Sequence, residues 1–275
     1  MPFIATADDT ELYVKDWGAG RPVVLMHGWP LSADTFDDLG MAIANAGMRA
    51  IAYDRRGFGR SEQSWDGYDY DTLADDLAAV LDAVEARDAT LVGFSMGGGE
   101  VARYMSRHAG ANVAQAVLIS SVVPYLLLAD GNPDGVDPTT IQMMADGITA
   151  DRAKFWSGFF KSFYGVGLLA QPVSDEVIAW SSAVAMQASL KATLACAEAF
   201  ATTDFRGDLA AFTVPTLVIH GTSDATVPLA MGRAAAAGIA GSRLLEYEGA
   251  PHGLLATHKD DIARDVLEFL ATGRS

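Results

Sequence analysis

The segment Gly93-Phe94-Ser95-Met96-Gly97 joins a run of apolar residues typical of a buried strand to a segment typical of a helix. A G-x-S-x-G motif at such a turn indicates a nucleophilic serine, because glycines on both sides let the tight turn close. Free N–H groups at the start of the helix would stabilise an oxyanion there. A dinucleotide-binding loop is the alternative, but its fingerprint requires glycine where Ser95 stands. We therefore predict Ser95 as a nucleophile.

A serine nucleophile needs a base, and the chain has five histidines. His252 lies in a loop between Pro251 and Gly253, just before the final predicted helix. This is where the chain order serine, acid, histidine ends in hydrolases with this type of turn, so we predict His252 as the base. The other histidines, for which we expect packing, loop-shaping, capping or solvated positions, are His27, His108, His220 and His258.

The acid that orients the base should follow a strand that lies between the serine and the histidine in the chain. Asp224 follows the apolar run Thr216–His220, whereas the loop after the preceding strand, 120–124, contains no carboxylate. A carboxylate at this place would hold the imidazole tautomer and stabilise the imidazolium. We predict Asp224 as the acid.

An oxyanion hole needs two backbone N–H groups. One would come from Met96, the residue after the nucleophile, and the other from Trp29, in the loop after the first core strand. Pro30 keeps Trp29 out of the helical region, which restricts where the Trp29 carbonyl points near Ser95. The segment Asp54–Ser61 is expected to be a charged turn that supports this loop.

The elements that must position these residues alternate between strands and helices. The predicted helices are Asp71–Glu85, capped by Thr72, Gly99–His108 and Asp260–Ala271. Apolar runs that predict strands buried on both faces are Pro22–Met26, Arg49–Tyr53, Thr90–Phe94, Ala116–Ile119 and Thr216–His220, with a strand-like segment at Arg243–Tyr247. Pro2–Ala7 and Glu11–Trp17 look like an opening hairpin. The pattern predicts an α/β fold, with a mostly parallel sheet and helices on both faces.

The alternation breaks between residues 121 and 204, a stretch rich in aromatic residues and helix formers. We predict a helical cap insertion at 121–204, with the core formed by 1–120 and 205–275. Substrate-binding side chains are expected from both parts; they are Trp29, Phe94, Val122, Phe159 and Val227.

Composition excludes several classes of function. The formal charge of −16 disfavours nucleic acid as a partner. The single cysteine, Cys196, is expected to be a small packing residue, and no spacing of ligands indicates a metal site. No signal peptide and no apolar run long enough to span a membrane is evident. We expect a cytoplasmic protein without a cofactor, acting on a small molecule, and a homo-oligomer.

Five segments together resemble the cofactor-free (non-haem) haloperoxidases, a group that includes aryl esterases, perhydrolases and γ-lactamases. These segments are His27–Pro30, Tyr53–Ser61, Gly93–Tyr104, Val218–Gly221 and Gly249–Gly253. The resemblance implies an α/β-hydrolase fold and hydrolysis of small carboxylic esters, aryl esters among them, through an acyl-enzyme. It also implies peracid formation when hydrogen peroxide replaces water. A lactonase or γ-lactamase with the same triad is the alternative, and a ligand-binding receptor of the same fold is a further one.

Overall fold

Eight strands form one sheet in the computed structural model, which describes residues 2–168 and 170–272. In chain order the strands are β1 (Phe3–Ala5), β2 (Glu11–Gly18), β3 (Pro22–Met26), β4 (Arg49–Tyr53), β5 (Ala89–Phe94), β6 (Val113–Ile119), β7 (Thr216–Gly221) and β8 (Arg243–Tyr247). Their spatial order is β1-β2-β4-β3-β5-β6-β7-β8. The pairs β1–β2 and β2–β4 are antiparallel, and the others are parallel. The predicted α/β fold with a mostly parallel sheet is confirmed.

Helices follow most of the parallel strands. They are α1 (Asp37–Asn45), α2 (Tyr70–Ala83), α3 (Met96–Arg107), α7 (Leu229–Gly238) and α9 (Lys259–Thr272), with the short α8 (Leu254–Thr257) before the last. Helix α1 packs against α9, and α2 packs against α3. Strand β5 is buried at every position, which explains why it appears in the sequence as a continuous apolar run.

The start of α2 differs from the prediction. The helix begins at Tyr70, and the side chain of Asp69 caps it by accepting a hydrogen bond of 3.0 Å from the Thr72 N–H. Thr72 is therefore not the capping residue. Aspartate and threonine both serve as helix caps. Which of the two caps α2 depends on the first residue of the helix, and the apolar periodicity does not define that residue.

Within residues 121–204 lie three further helices, α4 (Pro138–Phe163), α5 (Asp175–Gln187) and α6 (Leu190–Thr202). Asp151 has non-helical backbone angles and divides α4 into two parts. We propose that this stretch is a cap on a core formed by 1–120 and 205–275. Met1 and residues 273–275 of the predicted core, and Leu169 of the predicted cap, lie outside the described residues. In the part of the chain that the structure describes, no helix has the length and apolar character needed to cross a membrane.

A buried ion pair joins the first half of the sheet to α3. Arg55 follows β4, and its guanidinium contacts the carboxylate of Glu100 in α3, with both side chains 1 % exposed. The hydroxyl of Tyr53 donates a 2.6 Å hydrogen bond to the other oxygen of the same carboxylate. Removing one partner of such a pair leaves an uncompensated charge in the core.

We predict that Glu100→Ala lowers the free energy of unfolding by about 3–5 kcal/mol, since Arg55 would remain buried without its partner. Glu246→Ala is the matched control, because Glu246 pairs with the largely exposed Arg233, and it should cost about 0–1 kcal/mol. Urea unfolding with an unchanged slope would measure both values. Equal losses for the two variants would contradict this account of the pair.

Candidate active site

Ser95 sits at the turn between β5 and α3 with an uncommon backbone conformation. Its φ is 54° and its ψ is −118°, a region that costs a residue with a side chain conformational energy. A methyl group on Gly93 would collide with the carbonyl of Gly97, and one on Gly97 would collide with the carbonyl of Met26. The two glycines of the motif are therefore required by close backbone approach, as the sequence pattern predicted.

The three residues predicted as nucleophile, base and acid lie in one hydrogen-bonded row. The Nε2 atom of His252 is 2.9 Å from the Oγ of Ser95, and its Nδ1 atom is 2.7 Å from Oδ2 of Asp224. Ser95 is 6 % exposed and His252 is 1 % exposed. With the Nδ1 proton directed to the carboxylate, Nε2 is free to accept the proton of the serine hydroxyl.

Asp224 is fixed by its own loop. Its Oδ1 atom accepts hydrogen bonds from the backbone N–H groups of Thr226 (2.9 Å) and Val227 (2.8 Å), so Oδ2 is left to face His252. Burial favours the protonated carboxyl, but the adjacent His252 and these N–H groups outweigh it and hold the pKa of Asp224 below its usual range. The carboxylate that faces His252 is thus ionised at neutral pH.

A second histidine, His220, lies near the same oxygen of the Asp224 carboxylate as His252. It is fully buried, as expected for a packed residue at the end of β7. Its Nε2 atom is 2.9 Å from the carbonyl oxygen of Val227 and 3.5 Å from Oδ2 of Asp224. Burial lowers the pKa of His220, so this imidazole is neutral and donates its Nε2 proton toward these oxygens. The packing prediction was right, and the contact with the Asp224 loop was not foreseen.

Hydrogen bonds connect the acid loop to the histidine loop. The Gly249 N–H donates to the hydroxyl of Thr222 at 2.8 Å, and the Ser223 N–H donates to the carbonyl of Ala250 at 3.1 Å. The Gly253 N–H, next to His252, donates to the carbonyl of Phe163 at the end of α4. The base is therefore held by both the core and the predicted cap.

The loop after β3 is shaped by His27. Its Nε2 atom accepts a 3.0 Å hydrogen bond from the Arg55 N–H, and its Nδ1 atom lies 2.9 Å from the carbonyl of Gly28. Burial and the charge of Arg55 hold the pKa of His27 well below its usual range, so the ring is neutral. The Arg55 guanidinium also donates to the carbonyl of His27. His27 therefore shapes the loop, as predicted.

The same loop brings Trp29 close to the serine. Gly28 is so near Ser95 that an added Cβ would touch the serine Cβ. Across residues 2–168 and 170–272, the N–H groups of Met96 and Trp29 donate no hydrogen bond to another protein group. Two free donors beside the serine suit the oxyanion role predicted for Met96 and Trp29, which remains a proposal.

A cavity of about 250 Å³ opens on Ser95. Four of the five side chains expected to bind substrate line it, namely Trp29, Val122, Phe159 and Val227. Further apolar side chains in the wall, which the sequence did not indicate, are Leu126, Val136, Ile141, Met144, Phe155, Phe200 and Ala225. Ile141 and Met144 lie three residues apart on α4, and this helical spacing was the signal that could have paired them.

Phe94 is not part of this wall. It is fully buried, and its ring packs against those of His252 at 5.2 Å and Phe163 at 6.2 Å. Neighbouring residues at the end of a strand point to opposite sides, so a Ser95 that faces the cavity turns Phe94 away from it. The ring of Phe94 therefore packs against His252 and does not line the cavity over Ser95.

Cys196 is fully buried, in the packing position that the sequence predicted. Burial raises the pKa of its thiol to about 12. A thiol with this pKa is not a nucleophile at neutral pH.

Comparisons with known proteins extend over nearly the whole chain. Residues 21–259 match the model of a family described as having the α/β-hydrolase fold. A non-haem chloroperoxidase of Kitasatospora aureofaciens is 42% identical, over 98% of this chain and 99% of that one. A bifunctional esterase/perhydrolase of Acinetobacter calcoaceticus is 37% identical, with 98% and 99% covered. The crystal structure of a bromoperoxidase from Bacillus anthracis has a TM-score of 0.94 and 43% identity, with 98% and 99% covered.

We predict that Asp224→Asn slows the reaction of Ser95 with a fluorophosphonate by about a thousandfold or more, since loss of the acid costs roughly 10⁴-fold in serine proteases. The amide would no longer hold the Nδ1 proton of His252. The rate of labelling, followed by intact mass, measures the effect, and the exposed Asp66→Asn is the control. If Asp224→Asn reacts as fast as the control, another group orients His252.

Proposed function

This chain belongs to the α/β-hydrolase fold family and, within it, to the cofactor-free (non-haem) haloperoxidases and esterases, and on that premise we propose that it cleaves small carboxylic esters through an acyl-enzyme at Ser95. Aryl esters are included among the substrates. Peracid formation with hydrogen peroxide is its side activity. Ser95 serves as nucleophile, His252 as base and Asp224 as the residue that orients the base.

The observation that carries this proposal is the row of contacts that ends on an apolar cavity. The 2.9 Å contact from His252 to Ser95 and the 2.7 Å contact from His252 to Asp224 give the serine a base in hydrogen-bond reach. The cavity above it is lined mainly by aromatic and aliphatic side chains. A wall of this kind favours an uncharged ester over a charged or strongly polar substrate.

Acylation begins when the Oγ of Ser95 attacks the ester carbonyl and passes its proton to Nε2 of His252. The carbonyl electrons move to the oxygen, where the N–H groups of Met96 and Trp29 stabilise the negative charge. When the carbonyl re-forms, the bond to the alcohol oxygen breaks, and the alcohol leaves with the proton from His252. The acyl group then remains on Ser95.

Deacylation repeats these steps with a second nucleophile. His252 takes a proton from water, the hydroxide attacks the acyl carbonyl, and the carboxylic acid leaves as Ser95 regains its proton. Hydrogen peroxide attacks in the same way and gives a peracid. The peracid transfers its terminal OH group to a halide ion in solution, giving hypohalous acid and the carboxylate anion, so halide oxidation requires no halide site on the protein.

We expect Ser95→Ala to lower kcat/KM for an aryl ester by about 10⁵-fold or more, because no other atom in the site forms the acyl-enzyme. Rapid mixing of the unmodified enzyme with the ester should trap one acyl group per chain, located on Ser95 by mass spectrometry. Ser162→Ala is the control, since Ser162 also lines the cavity, and it should remain acylated. An acyl group at another residue, or an active Ser95→Ala variant, would rule out this mechanism.

A second expectation concerns Pro30. Water and hydrogen peroxide compete for the same acyl-enzyme, and peroxide has a second hydroxyl, which costs about 1–3 kcal/mol when buried without an acceptor. The Trp29 carbonyl is the acceptor we propose, because the proline restricts the backbone of the residue before it. Pro30→Leu should lower the ratio of peracid to acid formed from one ester at fixed peroxide. An unchanged ratio would show that this carbonyl does not favour peroxide.

A further inference from the structure

A second cavity of about 660 Å³ lies in the predicted cap, between the first part of α4 and helix α6. Its apolar floor includes Leu127, Ile141, Leu194, Ala197 and Ala201. The charged side chains Asp146, Lys191 and Glu198 also line it. We call this space the cap groove.

The cap groove and the cavity over Ser95 share one residue of their walls, Ile141. On either side of it in α4, Thr140 and Met144 line the cavity over Ser95, whereas Gln142 and Ala145 line the groove. The boundary between the two spaces therefore passes through Ile141 and its side chain. That side chain is only half-buried, which fits a residue with open space on two sides.

In the loop before α4 and in helix α6, neighbouring residues also line different spaces. Leu126 faces the cavity over Ser95, and the next residue, Leu127, faces the groove. In α6, Phe200 lines the cavity and Ala201 lines the groove. The two spaces are thus neighbours along a boundary that passes through three segments of the predicted cap.

The sizes of the two spaces differ in a way that bears on substrate length. The cavity over Ser95, at about 250 Å³, is smaller than the roughly 300–1,000 Å³ that holds a drug-sized ligand, while the groove lies within that range. The floor of the groove consists of aliphatic side chains, which offer no hydrogen bonds and favour an aliphatic chain. The charged residues Asp146, Lys191 and Glu198 also line the groove, so the far end of such a chain would lie near water.

We propose that Ile141 determines the chain length of the substrate, and that the cap groove is the site for the distal part of a long aliphatic acyl or alkyl chain. The proposal rests on the ester hydrolysis proposed above. A short chain ends against Ile141 within the first cavity. A longer chain reaches the groove only when the Ile141 side chain is displaced or shortened.

The test compares Ile141→Ala with the unmodified enzyme on two ester series, p-nitrophenyl butanoate against decanoate and ethyl against octyl butanoate. Burial of each further methylene contributes roughly a fourfold gain in binding. The variant should therefore raise the ratio of kcat/KM for the long ester over the short one by about tenfold or more in one series. The gain should appear in KM for the long ester.

Two further variants separate a site in the groove from a general loosening of the cap. Leu194 lines the groove and does not line the cavity over Ser95. Adding Leu194→Trp to Ile141→Ala should therefore fill the groove and abolish the gain for the long ester. Hydrolysis of the short ester should be unaffected by Leu194→Trp. Met143 is 71% exposed on the same helix, so Met143→Ala should leave the ratio unchanged in both series.

The proposal is overturned if the ratio changes by less than about threefold in both series, or if Leu194→Trp fails to reverse the gain. It is also overturned if Met143→Ala produces the same gain, because the effect would then come from a loosened helix. Hydrolysis of the short esters by every variant would leave the proposed function intact in each of these cases. If the unmodified enzyme did not hydrolyse the short esters, the proposed function itself would be contradicted.

Discussion

The close approach of backbone at the turn between β5 and α3 is the constraint on which the site depends. Gly93, Gly97 and the carbonyl of Met26 come so near one another that no side chain fits at either glycine. The same turn gives Ser95 a φ of 54°, which places the serine beyond the end of the sheet, at the first turn of a helix. A substitution at these glycines would move Ser95, the proposed nucleophile, and not only perturb its neighbours.

The other groups of the site are positioned from separate strands, and hydrogen bonds between their loops give them a common frame. Asp224 follows β7, His252 follows β8, and Trp29 follows β3. The buried pair of Arg55 and Glu100 connects two of these regions, since Arg55 holds the His27 loop while Glu100 belongs to the helix that starts beside Ser95. This buried ion pair thus helps to align the loop after β3 with the start of α3.

Much of this arrangement could be predicted from the sequence because it depends on local chemistry. The strands β3, β4 and β8 have the predicted bounds, since turn residues interrupt short apolar runs at their ends. The start of α3 at Met96, before the predicted Gly99, was missed because three consecutive glycines hide the helical pattern. Phe94 was misplaced because its sequence position next to Ser95 does not tell which side of the turn its ring occupies.

The wall of the cavity shows where prediction from the sequence ends. Leu126, Ile141 and Phe200 come from a loop and two helices that are distant in the chain, and no spacing relates them. The chemistry of Ser95 is fixed by a tight turn and by short-range hydrogen bonds, whereas the space above it is set by how α4 and α6 pack. Substitutions on the sides of these helices that face the cavity are therefore expected to change which ester fits, whereas the end of α4 also holds the His252 loop through the Phe163 carbonyl. We propose that one mechanism acts on substrates of different shape because Ser95 belongs to the turn between β5 and α3, whereas most of the cavity wall comes from residues 121–204.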